Sequence, residues 1–140
     1  MIGGLAGIAQ GAGWPTYDAD VVIETEDDNY ARVVAALDEL QAVYDTPHQP
    51  PIRPDLGRMR SLTGPQLFRT RHGRLDVLKE AGGETYATLV VDAAEVLQHG
   101  HLVRCASLEA LLRMKRAAKR PKDAAGIAAI EAAIRRRDER

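Results

Sequence analysis

Apolar positions along the chain follow two periods, and the switch between them divides it into elements. Val33, Val34, Leu37, Leu40 and Val43 recur every three or four residues, which predicts a helix over 29–43. Asp27, Asp28 and Asn29 supply acidic and capping side chains at its start. The same spacing in Leu108, Leu111, Leu112 and Met114 predicts a helix over 108–118, capped by Ser107. Ile127, Ile130 and Ile134 mark the apolar side of a last helix that ends near residue 137, with Pro121 in its first turn and a basic end that suits the dipole. Alternation replaces this pattern in 17–23, in 66–71 and 74–79 around His72-Gly73, and in 94–98 and 101–105 around His99-Gly100. These segments predict one strand and two hairpins. Residues 84–89 read as a helical turn, and 44–64, with Pro47, Pro50, Pro51, Pro54 and Gly57, as a long crossover loop.

The first twenty-three residues have a different texture. Met1-Ile2 is the stub of an apolar strand, and Leu5, Ile8 and Ala9 fall at helical spacing between Gly3-Gly4 and Gly11. A short helix opening on two glycines leaves backbone N–H groups free for an anion and lets the backbone approach it closely. After the loop Gly13-Trp14-Pro15-Thr16, alternation puts Asp18, Asp20 and Val22 on one face of a strand. The two carboxylates then stand about 6–7 Å apart at the backbone, a costly arrangement unless a cation or water lies between them. By itself, Asp-x-Asp also describes a surface edge strand. Asp76, between Leu75 and Val77, is a second acid among apolar neighbours and needs a partner or a metal.

Composition narrows the picture. At 140 residues the chain has room for one domain, 1–140, with 107–137 as a C-terminal helical segment. Only six residues are aromatic, so aliphatic side chains must fill the core. The single cysteine, Cys105, cannot form an internal disulfide and sits where a strand faces a core. His99 and His101 lie too close to a tight turn to make a ligand pair. No segment reads as a signal peptide or membrane span, so a cytoplasmic protein with no membrane partner is expected. The net charge of −1 hides a gradient: −8 over residues 1–50, +1 over 51–103 and +6 over 104–140. An acidic pole with a basic tail suits a metal site beside a platform for a polyanion, and equally a solvated basic helix.

The order of these features is more specific than any one of them. Apolar-Gly-Gly, a gap of thirteen residues, Asp-x-Asp on a strand and a later apolar-Asp-apolar together resemble the nucleotidyltransferase superfamily with the DNA polymerase beta type of palm. Within it the chain is similar to a bacterial group of small nucleotidyltransferase-like proteins. Gly3, Gly4, Ala6, Gly11, Thr16, Asp18 and Asp20 fall in register with that group's motif. Trp14 stands where the motif has Arg, and Gln10-Gly11 where it has His-Gly. Toward the end, Ser107-Leu108-Glu109-Ala110-Leu111-Leu112 and then Lys115-Arg116-Ala117-Ala118 with Arg120-Pro121-Lys122-Asp123 resemble the group's leucine-rich helix and basic signature. A related arrangement occurs in nucleotidyltransferase toxins of the abortive-infection type.

The resemblance implies an α/β (α+β) fold, with a mixed sheet carrying the acids, helices packed on it and a C-terminal helical pair. It implies that Gly3 and Gly4 contact nucleotide phosphates and that Asp18, Asp20 and Asp76 are the catalytic residues and hold Mg²⁺. Lys115, Arg120 and Lys122 would neutralise phosphate charge. The activity implied is transfer of a nucleoside monophosphate from an NTP to a hydroxyl, on an RNA 3' end or a protein, in the setting of a toxin with a cognate antitoxin. The alternative is a catalytically silent module of the same fold that binds nucleotide or a protein partner. A third reading is RNA binding by the basic helix alone. Relatives carry most of a strand before the glycines, so either the natural start lies upstream or a second subunit of a homodimer is expected to cover the sheet edge.

Overall fold

The protein is described by a computed structural model covering residues 1–140. Its centre is a four-stranded mixed sheet in the order β1-β4-β3-β2, formed by β1 (Asp18–Val22), β2 (Val43–Tyr44), β3 (Gln66–Thr70) and β4 (Gly73–Leu78). β3 and β4 are the predicted hairpin, and β1 lies parallel to β4. The expected α+β fold with a C-terminal helical pair is what the chain adopts.

Strand alternation sorts the side chains between the two faces of this sheet. Ile23, Phe68 and Val77 face α2 (Asp27–Glu39) and α3 (Leu56–Ser61), where they pack with Tyr30, Leu37 and Met59. Phe68, Leu37 and Met59 are fully buried, and Phe68 stacks at a tilt on Tyr44, 4.7 Å between ring centres. Val22 belongs to the other face. There Ile2, Ala6, Cys105, Leu108, Leu111, Met114 and Ile130 form the larger core, contributed by α1 (Gly3–Ala9), β8 (His101–Cys105), α5 (Leu108–Ala118) and α6 (Ala124–Asp138). The sheet is thus sandwiched between a helical layer of α2 and α3 and one in which α1, from the start of the chain, joins α5 and α6 from its end.

Several elements depart from the sequence reading. α2 stops at Glu39 rather than 43, because Gln41 turns into the left-handed region at φ +53° and Val43 is recruited to pair with Arg69 in β2. The crossover 44–64 is not all loop: Asp55 caps the short α3 by accepting from the Arg58 N–H, and Met59 anchors it in the core. In 84–89, a two-residue strand β6 (Glu84–Thr85), paired with β5 (Glu80–Ala81), precedes the helical turn α4 (Tyr86–Leu89). In α1 the apolar stripe is the exposed side. Leu5 and Ile8 are 37% and 46% exposed, while Gly4, Ala6 and Gly7 are buried. The helix lies so close to its neighbours that only small residues fit: a Cβ on Gly4 would stand 2.5 Å from the Thr16 Cβ.

The hairpin of β7 (Ala94–Gln98) and β8, the Ser107 cap and α5 fall where the periodicity puts them. His99, at φ +49° in the hairpin turn, and His101 are exposed and join no cluster of metal-ligand side chains. Cys105 is fully buried, which pushes its thiol pKa up. The stub Met1-Ile2 ties the central sheet to the end of the β7–β8 hairpin: the Ile2 N–H donates to the Asp20 carbonyl at 2.9 Å, and the Ala106 N–H to the Met1 carbonyl at 2.9 Å. No helix is long and apolar enough to cross a membrane.

Candidate active site

The parallel register of β1 on β4 brings the acids together. Asp20 lies opposite Asp76, and Asp18 opposite Arg74. All four share the sheet face that looks toward α5 and α6. Sequence alone pairs Asp18 with Asp20 along one strand, but the tighter pair crosses between strands. Asp20 and Asp76 line one wall of a cavity of about 470 Å³, while Lys115 from α5 and Arg120 from the following turn line it as well. Gly3, Leu67, Leu78, Gly82 and Met114 complete much of the rest.

The acidic wall is electrostatically unsatisfied. Burial, followed by the charge of Asp76, pushes the Asp20 pKa up to about 6. Burial is also the main cause that raises Asp76. One carboxylate oxygen of Asp76, Oδ1, is buried with no hydrogen-bond partner in the protein. Native proteins rarely leave a buried acceptor unpaired, and a carboxylate is the costliest kind to leave so. Two close carboxylates, one with an orphaned oxygen, offer two hard oxygen ligands of the kind a divalent cation takes. Gly3 closes the approach to this pair. Its φ is +70°, and a Cβ there would overlap the Asp20 Oδ2. The residue is glycine for both reasons.

Asp18 is set apart from the pair. Its Oδ1 lies 3.8 Å from the Arg74 guanidinium, which also reaches Asp45 at 3.2 Å, and it does not line the cavity. Gly4, buried, packs against Thr16 rather than facing the cavity. Lys122 is exposed and outside the lining.

The basic wall, in contrast, carries its own counter-charge. Asp123 is 5% exposed, and the 3-10 turn Pro121–Asp123 carries it beneath both cations. Lys115 Nζ donates to its Oδ1 at 3.1 Å, and Arg120 Nε to its Oδ2 at 2.7 Å. Burial alone would raise the Asp123 pKa, but the hydrogen bonds from Arg120 and Lys115 outweigh it and hold the carboxyl below its usual range. Lys115 also stands 4.8 Å from the centre of the Trp14 ring. Gln10, in the place of the motif's His, donates to the carbonyls of Ala6 at 3.0 Å and Ala106 at 2.8 Å, so it fastens the end of α1 to the start of α5.

Of the residues singled out in the sequence, Gly3, Asp20, Asp76, Lys115 and Arg120 converge on one cavity. Those missed are Asp123, which organises the cations, and Trp14, which faces one of them. A lone acid inside an Arg-Pro-Lys-Asp run of a basic tail is the available signal for Asp123. Comparison with known proteins adds no relative: no family model matches the chain, and no curated protein is significantly similar to it.

Proposed function

We propose that the protein is a cytoplasmic Mg²⁺-dependent nucleotidyltransferase that moves a nucleoside monophosphate from an NTP to a hydroxyl acceptor, breaking the bond between the α- and β-phosphates and releasing pyrophosphate. The observation that carries this reading is the unsatisfied Asp20 and Asp76 pair at one wall of a cavity that Lys115 and Arg120 also line. Opposed charges around one space suit a substrate that brings both cation and polyanion. Asp20 and Asp76, with Asp18 beside them on the same face, would hold Mg²⁺; bound there, the ion supplies charge neutralisation for the triphosphate and for the attacking hydroxyl oxygen.

The chain's own residues supply the rest. Lys115 and Arg120 offer N–H donors to phosphate oxygens, and because Asp123 already fixes them, little side-chain freedom is lost on binding. Asp76, which completes the acid pair from β4, is the residue that would help to activate the acceptor hydroxyl. Gly3 lets the backbone approach without a side chain between it and the carboxylates. The basic C-terminal segment favours an RNA end over a protein side chain as acceptor, and a toxin held by an antitoxin is the setting we favour.

A second reading is supported by Arg74. It engages Asp18 from the neighbouring strand, which would leave two acids for the cation and suits a module that binds nucleotide or a protein without catalysis. The deciding experiment is incubation with each labelled NTP, Mg²⁺ and a tRNA pool. Label should reach RNA with the wild type and not with Asp20→Asn or Asp76→Asn. Transfer no greater than with these variants removes catalysis. In that case, stabilisation of the fold by ATP with Mg²⁺ supports the binding module.

A further inference from the structure

We propose that Trp14 is a positioning residue of the phosphate-binding wall: its indole, seated on Gly7, holds the Lys115 ammonium in place at the cavity for an oligophosphate. This rests on the nucleotide reading of the cavity, and it concerns a residue at which the chain departs from the motif it resembles.

Four separate segments build the arrangement. The loop 13–17 is largely at the surface, with Gly13 and Pro15 exposed and Tyr17 93% exposed, yet Trp14 turns inward. Its ring edge occupies the space where a Cβ on Gly7 of α1 would be, with the Cη2 and Cζ3 atoms in the way. Only glycine there admits the indole. The Lys115 ammonium then lies 4.8 Å from the ring centre. Behind the lysine stem is Gly126 of α6, where a Cβ would stand 3.0 Å from the Lys115 Cε. The head meets Asp123 at 3.1 Å. Lys115 is thus confined by a ring, a bare stretch of helix backbone and a carboxylate, and its side chain is only 14% exposed.

A lysine ordinarily keeps several rotatable bonds free, and fixing them on binding costs affinity. Here the cost is met during folding. The negative face of the indole attracts the ammonium without supplying a hydrogen-bond acceptor. Asp123 takes one of the three N–H donors, and Lys115 remains among the residues that line the cavity with Asp20 and Asp76. A purely packing role for Trp14 would be met by any side chain of similar bulk. A positioning role needs the ring face and needs Lys115.

The full chain has a single tryptophan, so its fluorescence reports on this position directly. Titration with tripolyphosphate and with ATP plus Mg²⁺ should change Trp14 emission, and calorimetry then gives the affinity. Trp14→Phe, which keeps a ring face, should bind within about twofold of wild type, and Trp14→Leu about five- to tenfold more weakly. In a Lys115→Met background, Trp14→Leu should add no further loss. Equal losses in both backgrounds, or wild-type affinity in Trp14→Leu, would overturn the proposal. If Trp14→Leu does not fold, the Phe variant and Lys115→Met carry the comparison: Lys115→Met must weaken binding and shift Trp14 emission. If the wild type binds neither ligand, the nucleotide reading fails, and NMR then tests the geometry alone. The Lys115 methylene protons next to the ammonium should be shifted upfield by the ring in wild type and Trp14→Phe but not in Trp14→Leu. Unshifted protons in the wild type would refute the positioning itself.

Discussion

The acidic and basic sides of the cavity are built on opposite principles. On the sheet, Asp20 and Asp76 face each other with raised pKa values and an orphaned oxygen. On the helices, Lys115 and Arg120 share a buried carboxylate that satisfies both. The sheet side keeps its carboxyls raised despite the nearby charges of Arg74 and Lys115, whereas the helical side is relieved by its own Asp123. The first is a place where stability is given up, the second a place where order is secured in advance. Such a division is expected when one side must capture a mobile ion and the other must present fixed donors.

The largest effect should come from breaking the sheet side. Asp20→Asn and Asp76→Asn each remove a negative oxygen while keeping the shape, and each should lower nucleotidyl transfer by about 10²–10³-fold. The same changes should leave the fold intact or more stable at pH 8, because they remove repulsion. Loss of transfer together with loss of structure would mean that the pair is a structural element instead.

Breaking the helical side should do the reverse. Asp123→Ala leaves Lys115, 14% exposed, facing Arg120 without its hydrogen-bonded counter-charge, and breaking a buried pair on one side costs about 3–4 kcal/mol. Urea titration should show that loss as a lower midpoint. A change below about 1 kcal/mol would mean that solvent reaches these groups as it does a surface pair.

How much of this was legible beforehand follows from the range of the interactions. Strand alternation put Asp18, Asp20 and Val22 on one face, and turn chemistry fixed both hairpins and the Ser107 cap, because these depend on neighbours in sequence. The pairing of Asp20 with Asp76 depends on a parallel register between strands more than fifty residues apart, which no local pattern encodes. In α1 the periodicity pointed to Leu5 and Ile8, yet the side that packs is the glycine and alanine side. There close approach outweighed hydrophobicity, since the indole of Trp14 fills the space above Gly7. The end of α2 was misplaced because β3 recruits Val43 into the sheet, a tertiary demand that overrides helical spacing. Trp14 reads in sequence as a lost cation, but in the fold it faces Lys115, a cation from elsewhere in the chain.

Burial of the sheet-side acids, reinforced by their mutual repulsion, also sets a pH dependence, and its sign is opposite to that of an ion pair. A carboxyl raised from 3.8 to about 6 holds its proton more tightly folded than unfolded. Below pH 3.8 both states are protonated and the group is neutral in its effect. Between pH 3.8 and 6 the unfolded chain loses the proton first, so stability falls as pH rises, and above 6 the loss is complete at about 2–3 kcal/mol. Comparing urea midpoints of wild type and Asp20→Asn should therefore show no gap near pH 4 and a gap in favour of the variant at pH 8. Adding Mg²⁺ at pH 8 should narrow that gap if the pair holds the ion. A gap that is widest at acid pH would refute the repulsion.

The smallest effect concerns Arg74, which lies opposite Asp18 and two residues before Asp76 on β4. Its guanidinium is half-exposed and lies 3.8 Å from Asp18 and 3.2 Å from Asp45, so each contact is weakened by solvent. Exposed pairs contribute about 0–1 kcal/mol, and Arg74→Gln should lower stability by about 0.5 kcal/mol. Its charge also lowers the Asp76 pKa slightly against the dominant effect of burial, so the variant should shift the Asp76 titration upward by NMR. The reason to measure so small a change is what it says about Asp18. If Arg74→Gln raises Mg²⁺ affinity and an Asp18→Asn background abolishes the rise, Asp18 is a third ligand that Arg74 holds in reserve. If the rise is the same in an Asp18→Asn background, the ion is held by Asp20 and Asp76, and Arg74 serves only to temper the charge around them.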